Sequence, residues 1–168
     1  MVMEEHVLQR YIAAFSSLHT AKVRGQKAPH KAVLLLAVID LIEEGFIKTP
    51  YIELTEELNR KFIVIWRRYV GTSAVFTPDI GKPYYHMQYE PFWRLVDRDE
   101  AEYGMAAEPS PYVLSRKQRK DLPGGHYSAE SMRRAFAYAE IDEMLFQLLQ
   151  SCDTRASLRV VLISTYFT

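Results

Sequence analysis

Pro29-His30-Lys31-Ala32-Val33-Leu34-Leu35-Leu36-Ala37-Val38-Ile39-Asp40-Leu41-Ile42 is the stretch that decides the fold. Apart from Asp40 it is apolar on every side after Lys31, and it is too long for a single buried strand. Pro29 suits a helix start, where no backbone donor is needed, and Gly45 suits the cap that ends one. A helix apolar all round must lie inside the molecule. The stretch therefore predicts a central buried helix around which the rest of the chain is built.

Working outward, Val7, Leu8, Tyr11, Ile12, Phe15 and Leu18 recur at helical spacing and predict an amphipathic helix over Glu4–Leu18. His19–Ala28 reads as a loop. Tyr51–Leu54 is a short strand candidate. Thr55 is the expected N-cap of a helix that buries Leu58, Phe62, Ile65, Trp66 and Tyr69 and stops at Gly71. Beyond it the texture turns aromatic. Tyr84–Met87 and Phe92–Val96 are expected to pair as a hairpin around Gln88-Tyr89-Glu90-Pro91. Asp97–Glu108 reads as an acidic surface connection, and Tyr112–Leu114 as one more short strand. Pro123-Gly124-Gly125 marks a turn. Ser128–Ala139, Asp142–Gln150 and Asp153–Tyr166 read as three closing helices. The expected architecture is a single α-rich α+β domain over residues 1–168, with the central helix surrounded by helices and a small aromatic antiparallel sheet.

Composition narrows the function classes. The 168 residues are 48% hydrophobic and 25% charged, which excludes wholesale disorder. Lys and Arg number 21 and Asp and Glu also 21, so the formal net charge is zero. The charges are nevertheless segregated: no residue from His6 to Ile39 is acidic, while Arg10, Lys22, Arg24, Lys27 and Lys31 fall in that interval with His19 and His30. Cys152 stands alone, which rules out an intramolecular disulfide and a cysteine zinc cluster. The first ten residues lack the apolar region of a signal peptide, and the longest apolar run is too short to cross a bilayer. The expected location is the bacterial cytoplasm.

Three constellations carry chemistry. His30 and Lys31 stand at the start of the central helix, where unpaired backbone donors and the helix dipole favour a phosphate; Lys22, Arg24 and Lys27 precede them closely. The same residues also suit an ordinary solvated loop ahead of a core helix. The second constellation, Lys82-Pro83-Tyr84-Tyr85-His86-Met87-Gln88-Tyr89-Glu90-Pro91-Phe92-Trp93, offers rings with a lysine and a histidine that would line a pocket or stack on a base, although most of these rings, Phe92 and Trp93 among them, should be core. Side chains alternate in a strand, so at least one of Tyr84, Tyr85 and His86 should be exposed. His86 and Glu90 are four apart, but Pro91 and the strand-like context remove the helical geometry that a metal pair needs, and no metal site is expected. The third is Arg116, Lys117, Arg119 and Lys120, which would grip a second phosphate strand or simply face solvent. No Gly-rich phosphate loop, nucleophile elbow or His-Asn-His metal finger appears, so catalysis is the minor reading.

Lys27–Ile42, Ile52-Glu53-Leu54, Leu58–Trp66, Lys82–Met87, Phe92–Leu95 and Leu158–Phe167 together resemble the N-terminal domain of bacterial HNH restriction endonucleases that cut modified DNA. The best understood members of that group are the sulfur-binding domains, which recognise phosphorothioate DNA. The resemblance spans most of the chain in the same order. It implies that His30 and Lys31 contact the modified backbone, helped by Arg24 or Lys22, and that the segment around Pro83 forms a cup for the modified position. Lys82 stands where that family has a tyrosine, and His86 where it has a small residue. The implied partner is double-stranded DNA, with a homodimer as an open alternative to a monomer. No cofactor is expected in this chain; a divalent metal would belong to a nuclease half, before which this sequence stops. Two other classes stay open: a protein-interaction module of a defence system that does not touch DNA, and a hydrolase with an unfamiliar site.

Overall fold

The long apolar run forms α2 (His30–Glu43), and every residue from Lys31 to Ile42 except Asp40 is buried. The computed structural model describes residues 2–103 and 127–167. Each fully buried Leu or Ile of α2 contributes about 1.5–3 kcal/mol relative to exposure, which is why this helix sets the position of everything else. It ends as its sequence predicts: Gly45 has φ +84°, its N–H donates to the Ile42 carbonyl, and the N–H of Phe46 donates to Leu41. Only a residue without Cβ takes that left-handed turn without strain.

Around α2 pack α3 (Glu56–Tyr69), α4 (Gly81–His86) and the last helix, α8 (Cys152–Tyr166). The Thr55 hydroxyl caps α3 by accepting from the N–H of Leu58 at 3.1 Å. α1 (Val2–Ser16) lies against α8 and is clasped at its end by Tyr166, whose hydroxyl donates to the Phe15 carbonyl and accepts from the N–H of Leu18. The two residues β3 (Tyr51–Ile52), the strand β4 (Trp93–Asp97) and β5 (Phe136–Ile141) form an antiparallel sheet in the order β3-β5-β4. α5 (Arg98–Tyr103), α6 (Ala129–Ala135) and α7 (Glu143–Leu148) complete the described elements. The α-rich α+β architecture with a central buried helix is thus observed. No described helix is long and apolar enough to cross a membrane.

Four local expectations need correction. Tyr84–Met87 is not a strand but part of α4 and the 3-10 turn Met87–Tyr89 that follows. Pro83 is in the helix's first turn, and the first helical bond comes from Tyr84 N–H to the Ile80 carbonyl, so the missing proline donor costs nothing there. β4 pairs instead with β5, whose first four residues, Phe136 to Ala139, end the segment Ser128–Ala139 expected to be helical. Ser128 does cap a helix, accepting from Ser131 N–H, but that helix ends at Ala135. Phe136-Ala137-Tyr138-Ala139-Glu140-Ile141 then fills the gap between β3 and β4, where sheet hydrogen bonds outweigh the helix preference of Ala and Glu. The 19–28 loop contains a hairpin, β1 (Lys22–Val23) with β2 (Gln26–Lys27). Lastly, the acidic connection begins with α5. The strand expected at Tyr112–Leu114 lies outside the described residues.

Candidate nucleic-acid interface

The β1–β2 hairpin is the smallest that a chain can make. Val23 pairs with Gln26, so Arg24 and Gly25 alone form its tip. Both have positive φ, +53° and +78°, as a type I′ turn requires. Glycine takes this conformation freely, but arginine pays a strain of about 1–2 kcal/mol. Directly behind the tip, Lys22 and Lys27 oppose each other across the strands, an unfavourable like-charge pair. Lys27 leans on the Tyr166 ring with its ammonium 5.7 Å from the ring centre. Lys22, Arg24 and Lys27 are all exposed, and none of the ion pairs among the described residues includes them. The hairpin thus concentrates positive charge at a cost in local stability.

Ala21 and Val23 of this hairpin wall a cavity of about 760 Å³. His30 and Lys31 from the start of α2, Phe76 from the loop after α3, and Lys82, Pro83, His86 and Tyr89 from α4 and its following turn complete most of the lining. The structure therefore joins the first two constellations into one site. Lys82 is exposed there, and it too has no ion-pair partner among the described residues.

The chemistry inside differs from expectation. Lys31 is only 6% exposed, and its ammonium lies 2.7 Å from Glu90 Oε2. The Glu90 carboxylate, itself buried, also accepts from the His19 N–H at 2.9 Å and lies 3.2 Å from His19 Nδ1. Its acceptors are thereby occupied, as a buried charge requires. The negative charge expected beside this helix start is supplied from within the fold, so Lys31 is a structural cation and not a phosphate clamp. His30 is likewise turned into the fold. Its Nε2 donates to the Thr77 carbonyl at 2.7 Å, and its ring rests against Trp66 and Phe76 at 4.8 and 5.8 Å. Burial pushes its pKa below the ordinary histidine value, against the opposing pull of the Thr77 carbonyl and Asp79. A neutral imidazole with its proton on Nε2 keeps Nδ1 as an acceptor.

Two further site residues are corrected. Tyr84 is 1% and Tyr85 0% exposed. The Tyr84 hydroxyl donates to the Ile52 carbonyl, tying α4 to the sheet, and its carbonyl accepts from Trp93 Nε1. Neither ring reaches a ligand, because a helix, unlike a strand, turns adjacent residues into the same core. Arg116, Lys117, Arg119 and Lys120 lie outside the described residues. Sequence reasoning missed Phe76 and Val23; it placed Tyr89 and Glu90 in the second constellation without giving Glu90 its role as the partner of Lys31. Glu90 left one signal, a carboxylate inside an otherwise aromatic and basic block, but its partner is distant in the chain. Among the described residues no group of three or more His, Cys, Asp or Glu side chains is placed to hold a metal ion.

The site is thus a largely apolar chamber whose floor charges neutralise each other, with exposed cations at its border that have no ion-pair partner among the described residues. No protein-family model matches the chain, and a search of curated proteins finds no match.

Proposed function

We propose that this chain is a DNA-binding recognition domain that grips the duplex backbone with Lys22, Arg24, Lys27 and Lys82 and offers the adjoining cavity to a modified position. The observation that carries this reading is the set of exposed cations on a strained hairpin and the cavity border, none with an ion-pair partner among the described residues. A like-charge pair and a left-handed arginine are destabilising unless something outside the fold uses them. The sequence resemblance to modified-DNA endonuclease domains supports the same reading. In it the chain serves recognition for an HNH nuclease of a bacterial cytoplasmic defence system, and any metal chemistry belongs to that nuclease.

The test is fluorescence anisotropy with plain, methylated and phosphorothioated duplexes over a range of salt. Neutralising four phosphates gives a slope of log affinity against log salt of about −3 to −4. Replacing Lys22, Arg24 and Lys27 together by alanine should flatten that slope to about −1. Binding that ignores salt, or no binding at low salt by folded protein, would refute the reading.

A further inference from the structure

The cavity is large for a backbone modification. An added backbone atom or a methyl group displaces at most about one water, roughly 30 Å³. At about 760 Å³, the cavity has the size of pockets that take whole small molecules. Its lining is rich in rings. The His86 and Tyr89 rings are near parallel, 20° apart in plane with centres 6.0 Å apart, and Tyr89 is 43% exposed. Phe76 and His30 meet nearly edge to face at 5.8 Å. Planar heteroaromatic ligands are bound by such surfaces. The neighbouring cations supply the charge that a nucleotide's phosphates need.

We propose that the cavity receives a nucleobase rotated out of the DNA duplex, stacked against Phe76, His86 and Tyr89, with the flanking phosphates held by Lys22, Arg24 and Lys82. This rests on the DNA-binding reading and specifies which part of the DNA enters. Extruding a base sacrifices its pairing and stacking, so a base already lacking its partner is taken at lower cost.

The experiment compares two duplexes of one sequence: one fully paired, and one with a central thymine placed opposite an abasic site. Anisotropy titrations are run alongside permanganate oxidation, which attacks unstacked thymine. We expect about tenfold or greater preference for the unpaired thymine, and a change in its permanganate reactivity on binding. Tyr89→Ala, at an exposed position, and Phe76→Leu should each remove most of that preference yet leave salt-dependent binding to the paired duplex. Equal affinity for both duplexes, or a preference that persists in both variants, overturns the base-capture proposal while the DNA-binding reading stands. No binding to either duplex removes both.

Discussion

The two ends of α2 carry charges of the wrong sign for its dipole, and the fold treats them differently. At the C-terminal end Asp40, Glu43 and Glu44 put negative charge where cations would be favoured. α8 answers with Arg159, whose guanidinium lies 2.8 Å from Asp40 and 3.3 Å from Glu43, and with Arg155 beside Glu43; Lys61 of α3 meets Glu44. The hydrogen bond from Arg159 holds Glu43 below the usual carboxylate range. At the N-terminal end Lys31 is likewise matched, by Glu90, but Lys22, Arg24, Lys27 and Lys82 around it have no ion-pair partner among the described residues. A cation with a carboxylate partner holds two elements together; one without a partner is available to an anion from outside. A zero net charge conceals this polarity entirely.

The largest expected effect falls on the buried pair. Glu90→Gln or Lys31→Met should each destabilise the fold by about 3–5 kcal/mol in urea denaturation, because each strands a buried charge. Lys31→Met with Glu90→Leu should recover most of the loss, and failure to recover would mean that the pair does more than neutralise itself. The next contrast sets end against end. Replacing Lys22, Arg24 and Lys27 by alanine should lower DNA affinity about 100-fold or more at low salt and leave the melting temperature nearly unchanged. Arg159→Ala should do the reverse, costing about 1 kcal/mol or less of stability with affinity unaffected. If the α8 arginine matters as much for DNA, the comparison breaks.

A pH effect of intermediate to small size follows from His30. Its folded pKa lies below its unfolded one, so the unfolded chain takes up the proton first as pH falls. The stability His30 contributes is full above about pH 6.5 and declines as pH falls from there toward its folded pKa. His30→Gln should remove that component from the pH dependence of unfolding. The smallest effect sharpens the case for strain. Arg24→Asn creates Asn-Gly, the preferred type I′ pair, and should stabilise the hairpin by a few tenths to about 1 kcal/mol while weakening DNA binding. An arginine that can be exchanged without loss of affinity has no reason to be held there.

Much of the helical frame was legible because its signals are local. The α2 run, the Thr55 cap, the glycine after Glu44 and the spacing of Leu58, Phe62, Ile65 and Trp66 each act within a turn or two of chain. β5 was not legible, because Phe136–Ile141 combines helix-forming Ala and Glu with alternating larger residues, and only the vacant place between β3 and β4 selects the strand. α4 was misread because Pro83 looks like a helix breaker unless it falls in the first turn. For the site, the structure brings His30 and Lys31 of one constellation and Lys82, Pro83 and His86 of another around a single cavity. Sequence reasoning misjudged Tyr84 and Tyr85, whose burial depends on helical geometry, and Lys31, whose partner is fifty-nine residues away.

What the amino acids alone determined is the buried rod, its neighbours' amphipathic faces and the gathering of positive charge before it, since hydrophobic periodicity, capping and charge order are properties of short stretches. What only the tertiary structure decided is which of those charges are spent inside the protein. Pairing between Lys31 and Glu90, and its absence at Lys22, Arg24 and Lys82 among the described residues, depends on which distant segments come within a few ångströms, where burial makes a charge costly alone and stable in company.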